Sequence, residues 1–396
     1  MNSRERILAT LRGEERDHAP MWLRDEFNLT ERFDSYLRPD QYRSIGSGLE
    51  YDEFTDSWIT RDANRDRILE RYREVGGDAI IECKPPGNVC NRFLVIPPQT
   101  IHQTSVGYDR DFRIEKYAIA TPKGDLTFTV KFQKDVSTQW ITEEPIKETE
   151  DLRKIMSIPW SRPELDLSSY RTEVQRLGND GVTMMQIDTP VVTVSGMMNF
   201  QDYLMLTITD TGLLRELCDM AYERISTIVD SCLDAGMGPI YRFNGSEQST
   251  PPMNSVTTYE QFIYEYERRL VDQVHKRGAL AAVHCHGHVR EILPYIVQMG
   301  VDMLDPIEAP PSGNVEFTEA CRIAGNHVAL AGNIQLRDLQ SLAPKEIAAQ
   351  VDALLDAAEG YRFILDTSAS PITTIDERTR ENYLAMINAW ARRGAS

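Results

Sequence analysis

The chain has 396 residues, 41% of them hydrophobic and 26% charged, which provides a large apolar core and excludes an intrinsically disordered protein. Its formal net charge of −18 argues against nucleic acid and anionic membranes as partners, because both require many Lys and Arg contacts. No segment approaches the roughly 20 consecutive apolar residues of a membrane span.

The first residues and the cysteines favour a cytoplasmic protein. The first residues alternate charged and apolar side chains at helical spacing and lack the continuous apolar core of a signal peptide. The six cysteines are scattered without a CxxC pair, so we expect them to be reduced thiols.

Before residue 180 the sequence predicts two strands and one insertion. Pro20–Leu23 and Asp78–Glu82 are short apolar runs typical of strands. Residues 100–145 follow another pattern, in which a turn signal precedes apolar residues at every second position: Leu126, Phe128, Val130 and Phe132. This pattern predicts a β-hairpin. Because it interrupts the β/α rhythm, we expect an insertion over the barrel mouth and not a separate domain.

From about residue 180 onward, short apolar runs alternate with amphipathic helical stretches, which indicates βαβ units and a parallel sheet. The predicted strands are Val182–Ile187, Pro239–Asn244, Leu280–His286, Val301–Ile307, Val328–Ile334 and Phe363–Thr367. The predicted helices between them include Thr211–Ala235, Thr258–Arg277, Val289–Met299 and Lys345–Ala358. With the two earlier strands the count is eight, which predicts a single (β/α)8 TIM barrel spanning residues 1–396.

In such a barrel the catalytic groups lie at the C-terminal ends of the strands. That rule selects Glu82, Asp188, Asn244 to Glu247, His284, His286, His288, Asp305, Glu308, Asn333 and Asp366 to Ser370. The sixth strand stands out, because its end carries three of the seven histidines of the chain within five residues.

His284 and His286 are two positions apart on a strand, so both side chains project to the same face while Cys285 points to the other. Two neighbouring imidazoles suit Zn²⁺. Glu247, after the preceding strand, is the natural third ligand of an open, catalytic type of site. Without metal, the histidines could instead bind a substrate carboxylate, act as acid and base, or sit in a polar mouth.

Other acids have alternative roles. Glu308 follows a strand in a loop stiffened by prolines. Three roles are open to it: a carboxylate at the reacting centre, a partner of a histidine, or a solvated loop acid. Asp78 and Asp302 precede their strands, which favours structural roles at the barrel bottom. Predicted substrate contacts are Arg24, Glu82, Tyr241, Asn333 and Asp366, with Tyr241 interpreted as core or pocket wall.

Several segments resemble the uroporphyrinogen decarboxylase superfamily, which also contains corrinoid-dependent methyltransferases. They are Thr189 to Thr193, Ser255–Phe262, His284 to Gly287, Gly300 to Asp305, Leu330 to Ile334 and Glu381 to Tyr383. The resemblance is clearest over residues 180–390 and implies a (β/α)8 barrel.

Departures from the family patterns favour the methyltransferase branch. True decarboxylases carry Arg-Gln-Ala-Gly-Arg after the first strand and Phe-Ser-Asp after the second, where this chain has Arg24 to Phe27 and Glu82 to Lys84. The similar methyltransferases hold zinc with His-x-Cys and a late Cys. Here the first motif is His284-x-His286, and Thr367 to Ser370 contain no Cys. A thiolate-rich zinc site is therefore excluded, and the substrate implied is a methoxy or N-methyl compound and not a thiol.

The resemblance thus implies a methyltransferase in which Glu247, His284 and His286 hold zinc, Glu308 assists catalysis, and a corrinoid carried by a partner protein accepts the methyl group. The rival interpretation is a metal-free decarboxylase or lyase that uses a carboxylate or His as proton donor. A barrel that binds a small ligand without chemistry is a third class. The sequence leaves a homodimer open.

Overall fold

Short apolar runs bounded by Gly, Pro or polar residues form the parallel strands of the computed structural model, as their composition predicts. The structure describes residues 1–23, 49–52, 57–60, 69–70, 72–85, 95–133, 139–371 and 376–394.

Seven strands form one curled parallel sheet of the TIM-barrel type, ordered β13, β12, β11, β10, β9, β8, β3. Their bounds are β3 Ala79–Cys83, β8 Gly181–Asp188, β9 Ile240–Asn244, β10 Leu280–His284, β11 Met303–Ile307, β12 Ala329–Ile334 and β13 Phe363–Thr367. Each lies within two residues of its predicted position, which confirms the parallel sheet.

The predicted first strand, Pro20–Leu23, hydrogen-bonds to both ends of this sheet. The Trp22 amide donates to the Leu365 carbonyl on β13 at 2.9 Å, and the Leu365 amide donates to the Pro20 carbonyl at 2.8 Å. On the other side the Asp78 amide, next to β3, donates to the Met21 carbonyl at 2.9 Å. The segment therefore connects the first and last strands of the curled sheet.

Helices alternate with the strands of the sheet along the chain. The helices whose bounds lie within the described residues are Ser3–Arg12, Thr149–Met156, Ser168–Leu177, Pro190–Ser195, Phe200–Thr209, Thr211–Asp234, Val256–Tyr259, Glu265–Lys276, Leu293–Met299, Phe317–Ala324, Leu336–Ser341, Pro344–Ala357 and Glu377–Gly394. A π-helical turn, Glu260–Tyr264, joins two of them into one continuous helix. None of these described helices is long and apolar enough to cross a membrane.

The insertion is larger than the single hairpin predicted. It is a four-stranded antiparallel sheet of β4 Ile101–Asp109, β5 Phe112–Ile119, β6 Leu126–Gln133 and β7 Gln139–Glu143, paired in chain order. The alternating residues of the predicted pattern lie on β6 and are all buried. A separate two-stranded sheet consists of β1 Leu49–Asp52 and β2 Ser57–Thr60.

Two aspartates at the N-terminal ends of strands have structural partners, as their position predicts. Asp78 is fully buried, lies 2.5 Å from the Arg6 guanidinium and accepts the Met21 amide. Asp302 lies 2.8 Å from the imidazole of His275 and accepts the Ala281 amide at 2.8 Å. Both pairs connect a helix to the bottom of the sheet.

Candidate active site

The strand register brings the ends of neighbouring strands to one level. His284 on β10 pairs with Asn244 on β9 and with Asp305 on β11, and Asn244 pairs with Asp188 on β8. The imidazole rings of His284 and His286 lie 4.7 Å apart, nearly perpendicular to each other. Cys285 between them is fully buried. The pair therefore lies at the C-terminal end of the parallel strands.

His284 is held by a carboxylate, and its burial favours the neutral imidazole. Its Nδ1 lies 3.0 Å from Oδ2 of Asp305, whose side chain is fully buried. Burial of the imidazole lowers the pKa of His284 to about 4, although Asp305 opposes this shift. A neutral imidazole can offer a lone pair to a ligand.

His286 faces Glu308. Its Nδ1 lies 3.5 Å from Oε2 of Glu308, and the same oxygen accepts the Gly287 amide at 2.6 Å. Burial would raise the pKa of Glu308, but the contact with His286 and the Gly287 amide outweigh it, so the pKa is lowered. Glu308 is thus an ionised partner of His286, one of the roles that its position predicts.

Glu247 lies on a tightly anchored turn. Gly245 begins the turn with φ +91°, and a Cβ there would lie 2.5 Å from Cγ2 of Val192, so only glycine fits. Three of the following residues are fixed by side-chain hydrogen bonds to other elements: Ser246 to Glu267, Gln248 to Ser195 and Ser249 to Tyr203. The turn therefore presents Glu247 from a rigid backbone.

The carboxyl group of Glu247 is buried next to His286, and its Oε2 has no hydrogen-bond partner. Burial raises the pKa of Glu247, while its own amide and the nearby His286 oppose that shift. Behind the turn, burial raises the pKa of Glu267 to about 8. Oε2 of Glu247 can therefore accept a hydrogen bond or an ion from outside the chain.

Arg242 was not among the predicted residues, yet it lies at the centre of the site. Its Nη2 lies 2.7 Å from Glu82, its Nη1 donates to Asp305 at 3.0 Å, and its Nε donates to Asn244 at 3.1 Å. Glu82 also accepts a hydrogen bond from Nε2 of the Gln186 side chain. The predicted substrate contact at Glu82 is therefore already engaged within the protein. The signal in the sequence was a charged residue in the middle of an apolar strand.

The remaining predicted residues differ in their positions. Asn333 is buried and donates to the Ile307 carbonyl at 3.2 Å. Asp366 is buried at the end of β13 and accepts the Thr367 amide at 2.7 Å. Tyr241 is not brought to the site, because strand alternation turns it away from the face of Arg242. Its hydroxyl donates to the Met237 carbonyl. Arg24 lies outside the described residues.

The described part of the chain contains no group of three or more His, Cys, Asp or Glu side chains arranged to hold a metal ion. Glu247, His284 and His286 are close neighbours, but their donor atoms do not surround one point. Metal binding by this set therefore requires the side chains to move.

Comparison with protein families identifies the chain. Residues 103–390 match the uroporphyrinogen decarboxylase (URO-D) family. The chain belongs to the URO-D family. The match begins within β4 and contains the rest of the four-stranded insertion and every strand of the curled sheet except β3. Glu247, His284, His286 and Glu308 of this URO-D protein therefore lie within the family region, and Glu82 lies before it. No curated protein sequence matches it.

Solved structures resemble this URO-D chain in fold. A methyltransferase from Methanosarcina mazei has a TM-score of 0.63 at 15% identity and covers 99% of both chains. A B12-independent methionine synthase from Shewanella sp. W3-18-1 has a TM-score of 0.45 at 11% identity, over 84% of this chain and 88% of that one. At 15% identity, the similarity to the methyltransferase shows a shared fold and nothing more. The similarity to the methionine synthase is too weak to show even that.

Proposed function

We propose that this URO-D protein is a corrinoid-protein-dependent methyltransferase that acts on a small methoxy or N-methyl compound with the help of zinc. In this proposal Pro20–Leu23 completes a (β/α)8 barrel and the four-stranded sheet covers its mouth. The fold shared with the Methanosarcina mazei methyltransferase supports the assignment. The protein is proposed to work in the cytoplasm.

The observation that carries the proposal is the carboxyl group of Glu247. It is buried beside two histidines on an anchored turn, with one oxygen left without a partner. Burying a carboxyl oxygen without a hydrogen-bond partner costs stability and does not add to it. The arrangement is explained if the free oxygen binds something that is not part of the chain.

The donor set fits zinc chemically. His284 is a neutral imidazole supported by a carboxylate, His286 is supported by Glu308, and Glu247 supplies an oxygen. Two imidazoles and one carboxylate leave a fourth position for substrate. Zinc held there would supply Lewis acidity that makes the substrate oxygen or nitrogen a better leaving group.

The residues of the chain provide orientation around that position. Asp305 holds the ring of His284, and Glu308 holds the ring of His286 through Nδ1. Asn333 and Asp366, on the other side of β11, are proposed to contact the substrate. The methyl group is proposed to pass to a corrinoid carried by a separate protein, which approaches the same mouth.

Zinc titration of the dialysed full-length protein tests the proposal. We expect one zinc ion per chain, and we expect His284→Ala and Glu247→Gln each to weaken binding by more than about tenfold. His275→Ala is the matched control, because it also removes a histidine that is paired with an aspartate, but at the other end of the sheet. Cys285→Ala changes a fully buried thiol that is not among the proposed ligands, so this variant should also bind zinc normally.

Turnover is then measured with methoxy and N-methyl compounds and free cob(I)alamin as acceptor, and methylcobalamin formation is followed by visible absorbance. Zinc should increase the rate in the wild type and not in His284→Ala. If zinc neither binds nor raises activity, the proposed mechanism is wrong.

The second candidate is the metal-free decarboxylase or lyase. It is favoured by the burial of Glu247, which raises its pKa and so favours a protonated carboxyl group that could donate a proton. This candidate predicts release of product without corrinoid and without any response to zinc.

A further inference from the structure

Arg242 uses each of its three nitrogens on a different partner. Nε donates to Asn244, Nη1 donates to Asp305, and Nη2 contacts Glu82. Its side chain is only 5% exposed, and the partners lie on three strands. A planar guanidinium held at three points in a buried setting has one orientation, because rotation would break all three contacts. Arg242 therefore fixes the position of the Asp305 carboxylate.

The oxygen of Asp305 that accepts from Arg242 is also the one that faces His284. Oδ2 lies 3.0 Å from Nη1 of Arg242 and 3.0 Å from Nδ1 of His284. A guanidinium has donors and no acceptor, so this oxygen is an acceptor. The short contact with His284 is then a hydrogen bond only if Nδ1 carries the hydrogen. A neutral ring has one such hydrogen, so Nε2 keeps its lone pair.

We propose that Arg242 and Asp305 are positioning residues that fix His284 in the tautomer with hydrogen on Nδ1 and the lone pair on Nε2. His284 is then a lone-pair donor and not a proton donor at Nε2. The consequence for metal binding rests on the proposed function, because only a lone pair on Nε2 can bind zinc while Nδ1 stays on Asp305. The tautomer itself is independent of what the site binds.

Nitrogen NMR on the full-length, metal-free protein labelled with ¹⁵N-histidine tests the inference, with His284→Gln used to assign the signals. In the wild type we expect a protonated Nδ1 and an unprotonated Nε2 for His284. A wild-type ring with hydrogen on Nε2 would overturn the proposal without any variant.

Two variants test the part played by Arg242. Arg242→Gln removes the positive charge and most of the N–H donors of the guanidinium, so we expect a second tautomer of His284 to become detectable. Arg242→Lys keeps a buried charge and is the safer variant for folding, but one ammonium group cannot make the three contacts, so the same change is expected. If both variants keep the wild-type tautomer, Arg242 has no positioning role.

Two controls separate this role from general effects. Glu82→Gln leaves the contact between Arg242 and Asp305 in place, so the tautomer should not change. Arg73→Gln removes an exposed arginine that lies 2.7 Å from Asp180, just before the N-terminal end of β8, and should also leave the tautomer unchanged. Zinc titration of the same samples keeps the two proposals distinct. The expected tautomer without zinc binding refutes only the proposed function, and zinc binding with the other tautomer refutes only this inference.

Discussion

Gly245→Ala tests the close packing that sets the turn of Glu247. Two separate costs follow from the structure. An L-residue at φ +91° is strained by about 1–2 kcal/mol. The new Cβ would also lie 2.5 Å and 2.9 Å from the two methyl carbons of Val192, and overpacking of this kind costs about 1–3 kcal/mol. We therefore expect the free energy of unfolding to fall by about 2–5 kcal/mol.

A matched glycine separates the two costs. Gly236 has φ +73°, and a Cβ there would meet nothing within 4 Å, so Gly236→Ala should show the backbone strain alone. Urea denaturation followed by tryptophan fluorescence measures both variants. Adding Val192→Ala to Gly245→Ala should recover the clash component, about 1–3 kcal/mol, as a coupling in the double-mutant cycle.

The same substitution should disturb the site, because the turn carries Glu247. Zinc affinity should fall in Gly245→Ala and stay unchanged in Gly236→Ala. Equal losses of stability in the two variants, with no coupling to Val192→Ala, would refute the packing argument.

Two further outcomes are expected at the bottom of the sheet. The hydrogen bond to Asp302 raises the pKa of His275 above 6.5, so this pair stabilises the fold fully below pH 6.5 and less as the pH rises through the folded pKa. The melting temperature of the wild type should therefore fall relative to that of His275→Gln between about pH 6 and pH 8, and parallel curves would contradict this. Arg6→Met should cost about 3–5 kcal/mol in urea, because it leaves the buried Asp78 without its cation. Arg153→Met, which breaks an exposed pair, should change little, and equal losses would argue against the buried pair.

The strands of the curled sheet were predictable because each is a short apolar run with clear ends. The helix after β10 was predicted from Val289 but begins at Leu293, where Pro294 occupies the first turn. The insertion was underestimated for a different reason. On β4, eight of the nine residues are exposed, so no alternation of apolar side chains marked it as a strand.

The placement of the candidate site's side chains was predictable where it depends on neighbouring strand ends. His284, His286, Glu247 and Glu308 are brought together because their strands are adjacent, and that order follows from the chain. The role of Arg242 was not predictable, because its three contacts come from separate strands and depend on side-chain geometry. Successive side chains on a strand point to opposite faces, so Tyr241 points away from the site when Arg242 points into it. The chemistry of Tyr241 taken alone did not indicate this.

The anchoring of the Glu247 turn separates the fold from the chemistry at this position. Ser246, Gln248 and Ser249 hold the backbone from outside, so the side chain at position 247 contributes little to keeping its own loop in place. Side chains with sulfur, nitrogen or oxygen donor atoms can therefore be exchanged at position 247 with little change in the backbone. A small library at this single position would sample different ligand chemistries without redesign of the barrel, and the same freedom would have been open to natural divergence.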